Sequence, residues 1–299
     1  AFLALYADVR GWPTNNAHRK AIEAAIKAGS TTSTAVDDFA QTRALLLERK
    51  CLVLQGAPGT GKTRLAKELA ASLGAEVFFT QFHAETTYAD FVWGIRPTLT
   101  QDALRYEAQQ GPLVQAIVHA RNHPDRPTML IIDEINRANL SNVLGQVFYL
   151  FEYQMQDSQT TIQVMPGLAL SRLPDNLFVV GTMNTADRSL AVVDFALRRR
   201  FAWYTLYPHE VRADAGLHFM TEPFQRMWTI FETHARDEEL SLMPGQGYFI
   251  VSNKADMKNR LRYELMPLIK EYLSEGLLTT ARDDFVNYFR QEIGEEMYR

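Results

Sequence analysis

One eight-residue stretch constrains the fold of this chain more than any other. Residues Gly56 to Thr63 read Gly-Ala-Pro-Gly-Thr-Gly-Lys-Thr and match the pattern G-x-x-x-x-G-K-T. The apolar run Cys51–Gln55 before it predicts a buried strand, and residues Arg64–Leu73 after it predict a helix that ends at Gly74. A strand, a glycine-rich loop and a helix in this order predict an α/β domain with a phosphate-binding loop.

The residue types in this loop indicate how it would hold a nucleotide. Its glycines let the backbone turn closely around an anion, so that successive N–H groups and the positive end of the following helix face the phosphates. Lys62 would add a positive charge at the β- and γ-phosphates, and Thr63 would offer a hydroxyl to Mg²⁺. The predicted nucleotide-binding residues are Gly56, Ala57, Pro58, Gly59, Thr60, Gly61, Lys62, Thr63 and Arg64.

Apolar runs alternate with helical patterns along the first two thirds of the chain. The further predicted strands are Val77–Phe82, Met129–Asp133, Leu177–Gly181 and Trp203–Leu206. The predicted helices between them are Pro112–Asn122, Leu140–Tyr153 and Leu190–Arg199, and residues 154–175 predict an inserted hairpin. This alternation predicts a parallel sheet with helices on both faces. Three parts are expected: a prelude and linker at 1–34, an α/β nucleotide-binding domain at 35–208, and a smaller, mainly helical lid at 209–299.

Two carboxylates close the strand predicted at Met129–Asp133. The sequence Thr-Met-Leu-Ile-Ile-Asp-Glu ends in Asp133 and Glu134, and such a strand end lies beside the phosphate loop in this architecture. Asp133 is expected to support the Mg²⁺ shell together with Thr63. Glu134 is expected to orient or deprotonate the attacking water.

The predicted strand Leu177–Gly181 is followed closely by a polar residue, Asn184. Its side chain could hydrogen-bond the attacking water or a γ-phosphate oxygen, or it could cap a helix. The run Leu-Arg-Arg-Arg-Phe follows at 197–201. Its arginines have three possible roles from sequence: a solvated helix end, a contact to DNA phosphates, or an arginine finger that reaches the nucleotide of a neighbouring subunit.

Composition limits the remaining function classes. The 299 residues carry a net charge of −4, so no strong basic field exists to hold nucleic acid by charge alone. The single cysteine, Cys51, fits a protein of the reducing cytoplasm, and no apolar run is long enough to predict a membrane span.

These motifs together resemble the McrB family of AAA+ P-loop nucleoside triphosphatases. The resemblance rests on the phosphate loop, on Asp133-Glu134-Ile135-Asn136-Arg137-Ala138-Asn139, and on the run from Met183-Asn184-Thr185-Ala186-Asp187-Arg188-Ser189 to Phe201. The stretch Gln81-Phe82-His83 with Tyr88-Ala89-Asp90-Phe91 and Gly94-Ile95-Arg96-Pro97 is similar to the family's loop after the second strand. The likeness covers roughly residues 50–208.

The resemblance implies a GTP-driven motor that forms hexameric rings and works with an McrC-like endonuclease in modification-dependent restriction, a defence against foreign DNA. It implies that Asn136 helps to place the catalytic water, and that Arg199, with Arg200 and Arg188, faces the adjacent subunit's nucleotide. Asn184 and Asp187 belong to the family's signature run. DNA contact is expected from an N-terminal domain not present here, or from the partner.

Some residues depart from the family pattern. The lid motif Ile-Gly-His-Ser-Tyr-Phe has its nearest match at Pro244–Phe249, where Gln246 stands in place of histidine. Guanine selectivity follows from the resemblance and from no residue code, so ATP remains open as the substrate. Two other functions are considered: an ATP-dependent remodelling chaperone of the MoxR type, and a scaffold that binds nucleotide without hydrolysis.

Overall fold

The computed structural model describes residues 38–100, 103–152, 160–186, 195–236 and 239–298. Two compact units make up the chain, and we describe each by itself. The sheet unit contains Phe39–Gly56 and Gly61–Leu206, whereas the helical unit joins Ala57–Thr60 to the residues from Tyr207 onward. The domain bounds drawn from sequence stay a prediction, and the predicted prelude at 1–34 lies outside the described residues.

The sheet unit is built around five parallel strands. The helices and strands of this unit are α1 Asp38–Arg49, β1 Cys51–Gly56, α2 Lys62–Leu73, β2 Glu76–Gln81, α3 Tyr88–Phe91, β3 Trp93–Thr100, β4 Ala103–Gln110, α4 Pro112–Asn122, β5 Thr128–Asp133, α5 Leu140–Leu144, β6 Ile162–Met165, β7 Leu168–Leu170, β8 Leu177–Asn184, α6 Phe195–Arg200 and β9 Ala202–Leu206. The strand order is β2-β5-β8-β1-β9. This confirms the predicted parallel sheet, including each of its five strands.

Successive side chains of the central strands are buried on opposite faces of this sheet. In β1, Val53 packs into one apolar cluster with residues of α4, and Leu52 and Leu54 pack into another with residues of α1 and α2. Because both faces are covered, the central strands read as continuous apolar runs rather than as alternating ones. Helices therefore cover both faces, as the sequence predicted.

Two features of the sheet unit differ from the sequence prediction. The helix predicted over Leu140–Tyr153 stops at Leu144, because Gly145 adopts φ 47°, and a 3₁₀ helix at Gly145–Phe151 follows. The second difference is an antiparallel hairpin of β3 and β4, where no strands were predicted. The hairpin predicted within 154–175 is confirmed by β6 and β7.

The β3–β4 hairpin has one apolar and one polar face. Directly opposite residues of an antiparallel pair share a face, and the pairs Ile95–Ala108 and Pro97–Tyr106 lie on one side. Tyr106 is 70% exposed and Ile95 is 64% exposed. The proline in β3 and the polar residues between these positions concealed the strand pair in the sequence.

The helical unit consists mostly of short helices. Its α-helices and strands are β10 His218–Phe219, α7 Thr221–His234, β11 Ile250–Val251, α8 Lys254–Arg260, α9 Met266–Ser274 and α10 Arg282–Ile293. Short 3₁₀ turns and a π-helical turn at Leu261–Leu265 connect them. The predicted helical character of this region is confirmed. In the described part of the chain, no helix is both long and apolar enough to cross a membrane.

Candidate functional site

The phosphate loop starts where β1 ends, at Gly56, and α2 begins at Lys62. Gly59 and Gly61 have φ angles of 80° and 87°, which a residue with a side chain rarely adopts. The ammonium of Lys62 donates to the carbonyl oxygen of Gly56 at 3.0 Å, and its side chain is buried. The strand, loop and helix thus follow one another as predicted, with the lysine folded back along the loop.

The magnesium pair predicted from sequence is in direct contact. The hydroxyl of Thr63, in the first turn of α2, donates to Oδ1 of Asp133 at 2.7 Å. The hydroxyl of Thr182 donates to the same oxygen, also at 2.7 Å. A threonine hydroxyl beside a carboxylate is a donor set that fits a hard divalent cation which also binds phosphate oxygens.

Thr182 is a site residue that the sequence analysis missed. In the parallel pair of β5 and β8, Ile132 lies opposite Gly181, so the next residues, Asp133 and Thr182, are also neighbours. The strand register needed to foresee this contact is a property of the folded sheet. A polar residue two positions before Asn184 in an otherwise apolar strand was the available signal.

Glu134 is held in an uncommon backbone conformation. Its φ and ψ are 54° and 48°, in the left-handed region, which costs a non-glycine residue about 1 kcal/mol or more. The backbone N–H of Glu134 donates to the hydroxyl of Thr182 at 3.1 Å. The amide of Asn184 donates to its Oε1, and Nε of Arg137 lies 3.4 Å from its Oε2. The direction of the carboxylate is therefore fixed by contacts from β8 and from the turn that contains Arg137.

Asn136 contacts the backbone of Asn184. Its amide nitrogen lies 3.4 Å from the carbonyl oxygen of Asn184, to which it donates, and only 4% of the residue is exposed. The carbonyl oxygen of its side chain has no hydrogen-bond partner among the described residues. The structure therefore brings Glu134, Asn136 and Asn184 together. Asn136 contacts Asn184 directly, and Asn184 in turn contacts Glu134.

The arginine run divides into residues with different surroundings. Arg200 is 3% exposed, bonds Oε2 of Glu152 at 2.7 Å, and has its guanidinium 3.8 Å from the centre of the Phe148 ring. Arg199 is 64% exposed, and its guanidinium lies 3.6 Å from the other oxygen of Glu152. Both arginines pair with Glu152, but Arg200 is buried and Arg199 is exposed to solvent. The predicted finger role of Arg199 stays a prediction.

The remaining predicted site residues are less informative. Arg64 forms an ion pair with Glu68 one turn along α2, with Nε 2.8 Å from Oε1, and both side chains are exposed. Its predicted contact with nucleotide stays a prediction. Asp187 and Arg188 lie outside the described residues.

Burial affects the protonation of Glu134. Desolvation of the carboxyl raises its pKa above the ordinary value, and the charge of Arg137 offsets part of this rise. Because the pKa is higher in the folded protein, the stability that this group contributes is present at low pH and is lost as the pH rises through the folded value.

We therefore expect the melting temperature of Glu134→Gln, relative to wild type, to increase between about pH 4 and pH 7. Thermal unfolding of the nucleotide-free proteins across this range measures the difference. The exposed Glu85 provides a matched control, since Glu85→Gln removes the same charge in the same unit. A difference that stays constant with pH for Glu134→Gln would contradict the expectation.

Comparison with known proteins agrees with this geometry. Residues 51–201, about half of the chain, match the AAA domain family, dynein-related subfamily. Over 168 residues the chain is 39% identical to the EcoKMcrB subunit of a type IV methyl-directed restriction enzyme from Escherichia coli K12, covering 54% of this chain and 36% of that protein. It is 28% identical over 189 residues to YdiS, a component of the type II restriction enzyme BsuMI from Bacillus subtilis 168, covering 50% of this chain and 55% of that protein.

The matched region contains β1, the phosphate loop, the two carboxylates at the end of β5 and just after it, and the tip of β8. The chain spans about one third and about half of the lengths of these two relatives. The resemblance predicted from the motifs is confirmed by the similarity to the EcoKMcrB subunit, and the chain belongs to the AAA domain family, in its dynein-related subfamily.

Proposed function

We propose that this chain is the nucleoside triphosphatase motor of a restriction system, with GTP as its favoured substrate. One observation carries the proposal. Thr63, Asp133, Thr182, Glu134 and Asn184 form one chain of hydrogen bonds at the carboxyl ends of β5 and β8 and the start of α2. Membership of the AAA family supports hydrolysis as the chemistry.

The residues of this site suit the transfer of a phosphoryl group to water. Thr63 and Asp133 would hold Mg²⁺, which when bound neutralises charge on the β- and γ-phosphate oxygens. Glu134 would accept a proton from the attacking water while that water's oxygen bonds to the γ-phosphorus. The bond from the γ-phosphorus to its bridging oxygen breaks, so that the products are the nucleoside diphosphate and inorganic phosphate.

Asn184 and Asn136 would orient the groups that react. The amide of Asn184 holds one oxygen of Glu134, which leaves the carboxylate in a fixed direction. Asn136 in turn donates to the backbone of Asn184. Positioning of this kind lowers the barrier because the reacting groups do not have to be ordered during the reaction.

The proposed assembly is a homo-oligomeric, hexameric ring in which Arg199 completes the site of the neighbouring subunit. The exposure of Arg199 at the end of α6 supports this role. An McrC-like endonuclease is the proposed partner, and translocation of DNA is the proposed work. This part rests on the similarity to the EcoKMcrB subunit of a type IV methyl-directed restriction enzyme.

The deciding experiment compares turnover of GTP and ATP under one set of conditions. Phosphate release by the purified chain, measured with each nucleotide and Mg²⁺, is expected to be faster with GTP and to increase further when a partner endonuclease is added. Hydrolysis of ATP with no response to GTP would overturn the choice of nucleotide. That outcome, without any nuclease partner, would favour a remodelling chaperone of the MoxR type, with which the β6–β7 hairpin is compatible.

A further inference from the structure

A short segment of the helical unit lies directly on part of the phosphate loop. The segment is Gly245–Tyr248, and the loop residues are Ala57–Thr60, which belong to the same compact unit. The backbone N–H of Gly245 donates to the carbonyl oxygen of Pro58 at 2.8 Å, and that of Gly247 donates to the carbonyl oxygen of Gly59, also at 2.8 Å. The two stretches thus pair through their backbones.

A side chain supplies the third bond of this pairing. The amide nitrogen of Gln246 donates to the carbonyl oxygen of Thr60 at 2.9 Å. Gln246 is only 7% exposed, and its carbonyl oxygen has no hydrogen-bond partner among the described residues. Among the described residues, the Gln246 side chain therefore makes its hydrogen bond as a donor, to the phosphate loop.

The pairing depends on glycines because the two backbones are very close. A Cβ added at Gly245 would lie 2.1 Å from the carbonyl carbon of Gly59, and one added at Gly247 would lie 2.8 Å from the Gly59 oxygen. Nη1 of Arg260 donates to the carbonyl oxygen of Gly247 at 2.6 Å and to that of Ile250 at 3.0 Å. The segment is thus fixed from its other side as well.

These contacts have a consequence for the direction of the loop's N–H groups. In a trans peptide the N–H points opposite to the C=O of the same plane. With the carbonyls of Pro58, Gly59 and Thr60 directed to the segment, the N–H groups of the following residues point away from it. The N–H of Thr60 donates to the carbonyl oxygen of Ala57 at 3.4 Å. The N–H of Gly61, in the same peptide as the Thr60 carbonyl, is of the kind that a phosphate-binding loop offers to its anion.

We propose that Gln246 is a positioning residue for nucleotide binding, which orients the phosphate loop by donating a hydrogen bond to the Thr60 carbonyl. The proposal rests on the proposed function, since it concerns affinity for the same nucleotide. Gln246 acts through Thr60 and does not itself contact the nucleotide. It sets the direction of the peptide between Thr60 and Gly61, and so acts equally on diphosphate and triphosphate.

Three variants separate the hydrogen bond from simple packing. Gln246→Met keeps the length and volume of the side chain and removes the donor, whereas Gln246→His restores a donor in a ring N–H. Gln225→Met is the matched control, because Gln225 is an exposed glutamine of the same unit that bonds Glu210. If Gln246→Met fails to fold, Gln246→Asn replaces it, since the shorter amide withdraws the donor from Thr60.

The measurement is the dissociation constant of fluorescent GTP and GDP, with ATP and ADP as a second pair. Loss of one hydrogen bond predicts roughly fivefold weaker binding of both diphosphate and triphosphate to Gln246→Met. Gln246→His and Gln225→Met are expected to bind as wild type does. In steady-state assays the Gln246→Met substitution should raise KM and leave kcat nearly unchanged, because the loop binds ground state and transition state alike.

The outcomes distinguish this inference from the proposed function. If wild type binds nucleotide and Gln246→Met binds it equally well, the positioning role is wrong and the motor proposal stands. The positioning role is also wrong if Gln246→His binds as weakly as Gln246→Met, because packing would then explain the loss. If wild type binds no nucleoside triphosphate, the proposed function fails, and the inference fails with it.

Discussion

Replacement of Glu134 by glutamine should reduce nucleotide turnover by about 10² to 10⁴-fold, the range contributed by a positioned general base. Glutamine has nearly the same shape and keeps an oxygen to accept the hydrogen bond from Asn184, but it cannot accept a proton from water. Binding of the nucleotide should persist, because Lys62 and the loop are untouched. Phosphate release at saturating nucleotide and equilibrium binding of the same nucleotide measure the two quantities separately.

A control is needed because removal of any acidic residue changes the charge of the protein. Glu85→Gln makes the same change at an exposed position of the sheet unit and should turn over nucleotide at the wild-type rate. Turnover by Glu134→Gln within about threefold of wild type would remove Glu134 from the role of base, since such a loss is far below that of a general base. A scaffold that binds nucleotide without hydrolysis would then become the better account.

Replacement of Arg199 by alanine should lower turnover by about 10³-fold or more, the effect typical of an arginine finger. The exposed guanidinium can be removed without unfolding the chain, so thermal stability should stay close to that of wild type. Arg198→Ala is the matched control, because Arg198 is also exposed and lies in the same helix, with its guanidinium 5.3 Å from the Trp203 ring. It should retain turnover.

A mixing experiment tests whether Arg199 acts on a neighbouring subunit. When Arg199→Ala and Glu134→Gln chains are combined, some interfaces contain an intact Glu134 from one chain and an intact Arg199 from the other. Turnover of the mixture should then exceed that of either variant alone. No recovery in assembled mixtures would show that Arg199 works within its own chain or elsewhere, and reduced binding to DNA phosphates by Arg199→Ala would favour the nucleic-acid role.

Arg200 has a different role in the structure, although the sequence alone does not distinguish it from Arg199. Both oxygens of Glu152 are used, one for each arginine, and the Phe148 ring covers the Arg200 guanidinium. From the sequence pattern the arginine run had three possible roles, and the family resemblance assigned Arg199 and Arg200 the same one. What separates them is the direction in which each leaves α6, and a six-residue helix with neighbours far away in sequence does not reveal that direction.

The elements of the site that could be predicted lie on strands with strong local signals. The loop from Gly56, the carboxylates of β5 and the tip of β8 each follow an apolar run, and parallel strands place such ends at one edge. Contacts that depend on register or on long-range pairing could not be predicted, as with Thr182 beside Asp133. The pairing of Gln246 with Thr60 joins residues 186 positions apart, which no local pattern encodes.

The order of the strands has a consequence for how such a chain acquires its site. β1 has β8 and β9 as its neighbours, so both of its hydrogen-bonding partners come from residues 177–206. Contacts that span more than a hundred residues form slowly, because a long loop must close before they contribute. During synthesis, β1 can pair on one side only after β8 has emerged, and on the other side only after Leu206 has left the ribosome. Affinity for nucleotide should therefore appear late in folding, after β1 has paired with both of these strands.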